Sequence, residues 1–209
     1  MSLRICYGGT FDPVHNGHIA VADFAQKIFD ADVYFVPSAD PPHRQKPLAT
    51  AQQRADMLQI AIADQPRFFL DTRELQRAKP SYTVDTLRQL RAEIGNEIPL
   101  AWLIGADAFA QLHTWHEWEA LLDLAHFIVA VRPGYSMLSP DFSLKERLRD
   151  SADQLKTSPA GLVFSLQCPL RSESASAIRR AFIAGELPVG LNPAVHMYIL
   201  KHDLYPKAL

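Results

Sequence analysis

The 209 residues carry 48% hydrophobic and 21% charged side chains, a formal net charge of -2 and two cysteines. This is an ordinary soluble globular balance, long enough for one domain (1–209) with a sizeable core, the part from about residue 170 reading as a small helical portion. A net charge near zero excludes a general nucleic-acid binder, two cysteines exclude a disulfide framework, and the lack of an apolar run of about 18 residues or of a leader's apolar region excludes a membrane span.

What remains is a cytoplasmic protein in a reducing compartment, with Cys6 and Cys168 as buried structural thiols. A small anionic ligand stays allowed, since it needs only a local positive site. The first apolar run, Ile5-Cys6-Tyr7, reads as a strand, and Val21, Phe24, Ala25 and Ile28 recur at helical spacing. Between them lies Gly8-Gly9-Thr10-Phe11-Asp12-Pro13-Val14-His15-Asn16-Gly17-His18, a strand-to-helix turn. Its two glycines let backbone approach a ligand. His15 and His18 fall where the helix begins, beside unpaired N–H groups and the positive end of the dipole. With Thr10, these groups suit a phosphate. A histidine pair three residues apart also suits a metal, though no nearby cysteine or carboxylate–histidine pair completes such a set.

Asp32 to Val36 is the second strand, followed by a proline-rich loop, Ser38 to Leu48, that carries His43, Arg44 and Lys46. A loop past the C-terminal end of such a strand lies on the ligand side of an open α/β sheet. Thr50 and Gln53 form a capping box for the next helix. Phe68-Phe69-Leu70 is a third strand. Ser81-Tyr82-Thr83 opens a helix that ends at Gly95, with Ser81 or Thr83 as its N-cap; its start is a second possible anion site.

Leu100 to Ile104 reads as a central parallel strand, continuously apolar because both faces are covered. Gly105-Ala106-Asp107 follows, and an acid beyond a strand end is a candidate ribose ligand. The segment Leu112 to Trp118 offers Trp115 as a flat wall for a heterocycle. Phe127 to Val131 is a fifth strand running into Arg132-Pro133-Gly134. A polar segment, Ser139 to Lys156, has a helical centre around 144–155. Leu162 to Leu166 is a sixth strand. Ser172, Ser174, Ser176, Arg179 and Arg180 crowd the start of a helix that carries Ile178 and ends at Gly185, and a last helix runs from about Pro193 to His202. Alternating strands and helices imply a Rossmann-like, doubly wound, mainly parallel sheet flanked by helices. With neither Gly-x-Gly-x-x-Gly nor a Walker A motif, the dehydrogenase and P-loop readings lose support.

The stretch from Gly9 to His18 resembles the Gly-x-Phe-Asp-Pro-x-His-x-Gly-His signature of the nucleotidyltransferase superfamily. Pro41-Pro42-His43-Arg44, Ser81-Tyr82-Thr83-x-Asp85-Thr86-Leu87, Gly105-x-Asp107, Trp115, Arg132-Pro133-Gly134 and Tyr198-Ile199-x-x-His202-x-Leu204-Tyr205 together resemble the bacterial nicotinate-nucleotide adenylyltransferases. That resemblance implies transfer of the AMP part of ATP to nicotinate mononucleotide, giving nicotinate adenine dinucleotide and pyrophosphate in NAD synthesis. Another adenylyl- or cytidylyltransferase of the superfamily, or a non-catalytic nucleotide-binding module, is the alternative.

By the same resemblance, His15, His18 and Arg179 are the catalytic set. Gly8, Gly9, Thr10, Phe11, Gly105, Asp107, Ser174, Ser176 and Ile178 are ATP-binding, and His43, Arg44, Ser81, Tyr82, Thr83, Trp115 and Arg132 hold the mononucleotide. Mg²⁺ is expected with ATP, through phosphate oxygens and water, with no metal ligand from the protein. The implied partners are the two substrates, with no nucleic acid and no membrane, in a monomer or small homo-oligomer. One departure stands out: the second signature reads Glu173-Ser174-Ala175-Ser176-Ala177-Ile178-Arg179, with glutamate where the family has isoleucine and serine where it has threonine.

Overall fold

The computed structural model describes residues 2–39, 47–77, 81–131, 142–168 and 173–206. The elements are β1 (Arg4–Gly9), α1 (Asn16–Phe29), β2 (Asp32–Pro37), α2 (Ala51–Ala61), β3 (Phe68–Leu70), α3 (Thr83–Ile94), β4 (Leu100–Gly105) and α4 (Ala106–Ala110). They continue as α5 (Trp118–Leu124), β5 (His126–Val131), β6 (Leu148–Arg149), β7 (Val163–Gln167), α6 (Ala175–Ala184) and α7 (Pro193–Lys201). All strand pairs are parallel, in the order β3-β2-β1-β4-β5-β7-β6. The α/β doubly wound expectation is met.

Alternation along the strands divides the core in two. Ile5 and Tyr7, Val33 and Phe35, Ala101 and Leu103 face one side, where they meet Phe29 of α1, Met57 of α2, Phe182 of α6 and Ile199 of α7. Cys6, Leu100, Trp102, Ile104 and Val129 face the other, against Leu87 and Leu90 of α3, Phe109 of α4 and Leu121 of α5. Burial on both faces is why these strands read as unbroken apolar runs. The strand order reverses between β1 and β4, the place where an open parallel sheet leaves a crevice at its C-terminal edge.

The Thr50–Gln53 box and the Gly185 stop are as the sequence indicates, and side chains cap two further helices. Thr50 accepts from the Gln53 amide and the Gln53 side chain accepts from the Thr50 amide, at 3.2 and 2.8 Å. Ser174 caps α6, and Gly185 closes it at φ 73°. Asn192 caps α7, with Pro193 at the first helical position.

Two expectations need correction. The N-cap of α3 is neither Ser81 nor Thr83 but Tyr82, with no side-chain cap bond. Thr83 already lies inside the helix, and the Ser81 hydroxyl accepts from the Arg77 guanidinium instead. The segment 144–155 is not a helix either. It forms two 3₁₀ turns, Phe142–Arg147 and Ala152–Lys156, around β6, which pairs Leu148 with Val163 and Arg149 with Phe164. The edge of β7 offers backbone partners that a short amphipathic helix could not use, so an edge strand wins over the helical spacing. The sixth strand of the sequence reading is therefore the seventh of the sheet, at Val163–Gln167.

The chain's far end returns to its beginning. The buried carboxylate of Asp12 accepts from the Leu48 amide (2.9 Å), the Ala49 amide (3.2 Å) and the Tyr205 hydroxyl (2.7 Å). Among the described residues, no helix is long and apolar enough to cross a membrane. We expect Tyr205→Phe, which removes one donor to a buried charge and keeps the ring, to cost about 1–3 kcal/mol. Urea unfolding with an unchanged m-value is the measurement that checks it.

Candidate active site

The turn between β1 and α1 is set by close contacts. A Cβ on Gly8 would come within 2.4 Å of the Trp102 ring, and one on Gly9 within 2.8 Å of the Phe11 ring. Phe11 has a φ of 52°, a left-handed backbone that costs a non-glycine residue energy and is held only where the surroundings over-determine it. Its ring packs against Tyr7, His18 and Phe35, with centroids 5.5, 5.0 and 5.7 Å away. Phe11 is thus a packing residue, and its side chain is buried.

Two arginines pin the turn's carbonyls. Arg54, fully buried on α2, donates to the Thr10 carbonyl at 2.7 Å. Arg179 of α6 donates to the Asp12 carbonyl, and its guanidinium lies 3.9 Å from the Asp12 carboxylate. The start of α6 is thereby drawn against the start of α1, with Ser174 and Ser176 hydroxyls 3.4 Å apart beside it. The Glu173 side chain fills the gap: a Cβ on Gly190 would overlap its Cγ, and one on Gly17 would lie 3.7 Å from its Cβ. The glutamate in the isoleucine place is accommodated because Gly190, at φ 85°, has no side chain to collide with it.

The two histidines form one unit. Their rings stack with centroids 3.7 Å apart and planes inclined by 27°. The His15 backbone N–H donates to His18 Nδ1 at 3.2 Å, so the neutral His18 carries its proton on Nε2 and presents a donor there. Gly17 is required by this stack, since a Cβ would stand 2.9 Å from His15 Nδ1. Burial pushes the His15 imidazole down to about 4, only partly opposed by the Glu173 charge. Burial, then the neighbouring His15, holds His18 well below the usual imidazole range. Both rings are neutral at pH 7, so they offer directed hydrogen bonds rather than charge.

Beside this turn, at the C-terminal ends of β1, β2 and β4, lies a cavity of about 480 Å³. It gathers Gly8, Gly9, Thr10, Ser81, Tyr82, Thr83, Gly105 and Trp115 from the sequence expectations. Asp107 is exposed in the first turn of α4, between the lining residues Gly105 and Ala108. Ile178 is buried in the core and its amide bonds to the Ser174 carbonyl, so it supports the helix start rather than the cavity. His43, Arg44 and Arg132 lie outside the described residues.

The structure adds lining residues the sequence did not single out: Ser38, Glu74, Trp102, Ile104, Gln111, Thr114 and His116. The His116 ring sits 4.4 Å from that of Tyr82. A glutamate in a polar run carries no sequence signal of burial, and Glu74 is 5% exposed.

Comparison with known proteins places the chain in a wider group. The family described as Cytidylyltransferase-like matches residues 6–181. A Stenotrophomonas maltophilia protein named "Probable nicotinate-nucleotide adenylyltransferase" is 52% identical, over 98% of this chain and 97% of its own. A Cronobacter sakazakii protein of the same name is 44% identical over 99% and 97%. Among solved structures, Plasmodium falciparum nicotinic acid mononucleotide adenylyltransferase complexed with NaAD superposes with a TM-score of 0.71 at 19% identity, covering 98% of both chains. The same enzyme complexed with APC gives 0.70 at 21% identity over the same shares, a likeness of fold.

The histidine pair has a measurable signature. An unfolded histidine protonates near pH 6.5, the folded His15 only near 4, so between these values the unfolded state binds more protons and stability falls as pH falls. The full contribution of His15 is roughly 3 kcal/mol, present above pH 6.5 and lost by pH 4. Glu74, raised to about 7, contributes the opposite slope, so the informative quantity is the difference between proteins. We expect the urea-derived stability of His15→Gln to lose less than wild type does between pH 7 and 4.5.

Proposed function

The chain belongs to the family of nicotinate-nucleotide adenylyltransferases, enzymes that join nicotinate mononucleotide to the AMP part of ATP, and we propose that its residues divide that transfer as follows. The attacking group is the mononucleotide's phosphate, already anionic at neutral pH, so no general base is needed. The task is to bring two anions together and stabilise charge on the α-phosphate and on departing pyrophosphate. His18, His15 and Thr10 donate to the ATP phosphates from the α1 start. Neutral imidazoles suit this, because their donors are already aimed and need no counter-charge to be reorganised. Arg179, Ser174 and Ser176 face the β- and γ-phosphates from the α6 start.

The observation that carries the reading is the meeting of these two helix starts beside a cavity at the strand-order reversal. Gly8 and Gly9 let the nucleotide lie against the backbone, and Gly105 and Asp107 hold the adenosine ribose. Trp115 stacks on the pyridine ring, whose carboxylate faces Ser81, Tyr82 and Thr83 at the α3 start, where N–H groups and the dipole favour an anion. His43 and Arg44 take the mononucleotide's phosphate, and Arg132 assists. The donor set of imidazoles, hydroxyls and amides fits phosphate oxygens, leaving Mg²⁺ to oxygen ligands of ATP and water. When bound, Mg²⁺ neutralises charge on the phosphates. The whole chain works as one domain, its helical part from about residue 170 supplying Arg179. The reaction runs in the cytoplasm, where the buried thiols Cys6 and Cys168 remain reduced.

Pyrophosphate release that requires both ATP and nicotinate mononucleotide is the direct test; release from ATP alone would contradict the assignment. His18→Ala is expected to lower kcat by roughly 10²–10³ with folding retained, because it deletes a donor aimed at developing charge. Arg179→Lys keeps the charge but not the planar fork, and it also loses the bond to the Asp12 carbonyl. Its kcat/KM for ATP should fall by roughly tenfold or more, and unchanged steady-state constants would remove Arg179 from the phosphate site.

A further inference from the structure

Glu74 is a buried carboxyl in the wall of the cavity, and nothing in the transfer described so far uses it. It is wired to the start of α3. Thr86 Oγ1 donates to Glu74 Oε1 at 2.7 Å, accepts from Arg77 Nη1 at 2.8 Å, and lies 3.4 Å from the Tyr82 carbonyl. Arg77 also donates to the Ser81 hydroxyl and to Gln89 Oε1. The Ala39 amide, from the loop after β2, donates to the same Glu74 carboxyl. One carboxyl therefore joins two walls of the cavity, within one helical turn of Ser81-Tyr82-Thr83.

We propose that Glu74 is a specificity-determining residue: it takes up a proton from solvent as the ring's carboxylate docks on the α3 start, and so sets how strongly the acid mononucleotide is preferred over the amide. This rests on the reading that the carboxylate faces that helix start. An ionised Glu74 in the same enclosed wall repels the incoming carboxylate, and a protonated one does not; the amide, being neutral, does not feel the difference. The hydrogen bonds allow both states. When Glu74 is ionised, the Thr86 hydroxyl donates to it. When Glu74 is protonated, it donates to Thr86 Oγ1, and the Thr86 hydroxyl turns to the Tyr82 carbonyl.

The group is poised for this. Burial pushes its carboxyl up to about 7, against Thr86, Arg77 and the Ala39 amide, which pull it down, while the Asp71 charge adds to the rise. Among the described residues, the other titratable groups lining the cavity are Tyr82 and His116. By linkage, an anion that binds the protonated state better must draw a proton in when it binds.

The test is kcat/KM for nicotinate mononucleotide and its amide at saturating ATP and Mg²⁺, at pH 6.5 and 8.5, in wild type and Glu74→Gln. The acid-to-amide ratio within one protein cancels titration of the shared phosphate, of ATP and of His15 and His18, and the glutamine variant keeps every other group of the wall unchanged. The wild-type ratio should fall about tenfold from pH 6.5 to 8.5, and the glutamine variant's should stay flat. A purely structural role would change both substrates together and leave the ratio's pH dependence intact. A flat wild-type ratio, or the same slope in both proteins, overturns the proposal. Turnover of neither mononucleotide by wild type overturns the functional reading and the proposal with it. Should Glu74→Gln fail to fold, calorimetry on wild type decides. Heats of binding in two buffers of different ionisation enthalpy at pH 7.5 should show more proton uptake for the acid than for the amide. Equal uptake overturns the proposal.

Discussion

The structure depends on the carboxylate of Asp12. It sits in the strand-to-helix turn, buried, and its oxygens gather the Leu48 and Ala49 amides and the Tyr205 hydroxyl. Its carbonyl and carboxylate together hold Arg179. A buried charge is tolerable only when its hydrogen-bonding capacity is filled, so each of these partners is held by the cost of leaving it. The approach to α2, the α6 start and the segment after α7 are consequently fixed to one point, and that point is the floor beneath the histidines. The geometry of the opening turn and the stability of the fold share the same atoms.

Around that anchor, the site is built from neutral donors. The stacked His15 and His18 rings are desolvated enough to remain uncharged at neutral pH. A permanently charged pair at 3.7 Å would repel itself and demand counter-ions in the absence of ligand. Neutral rings avoid both and still offer a fixed donor at His18 Nε2. Among the described residues, formal positive charge at the turn comes from Arg54 and Arg179, which donate to the Thr10 and Asp12 carbonyls.

Much of this was legible in the sequence, and what was not has a physical cause. The turn from Gly8 to His18 announces itself because local spacing, glycines and a helix start fall together within eleven residues. The central strands announce themselves because burial on both faces makes them uniformly apolar. Glu74 and Arg54 gave no such signal, and Tyr205 stood out only as the end of a motif: each acts through a partner elsewhere in the chain, and a lone polar residue in sequence looks solvated. Arg54 reaches Thr10 across 44 positions. The N-cap of α3 went to Tyr82 because Arg77 had claimed the Ser81 hydroxyl, a competition no local pattern records. The strand β6 escaped notice for the same reason, since only the open edge of β7 makes two residues a strand.

The bond between Asp12 and Tyr205 spans 193 positions, and that distance bears on how the protein comes to be made. β1 is the first strand to leave the ribosome, yet it lies inside the sheet, between β2 and β4, and needs β4 on its second edge. The turn that follows it then waits for Arg179 and, later still, for Tyr205. A nascent chain can collect its early strands and helices, but the loop between β1 and α1 stays unclasped until Tyr205 is synthesised. An interrupted translation product would therefore hold the whole opening signature without the clasp that shapes it.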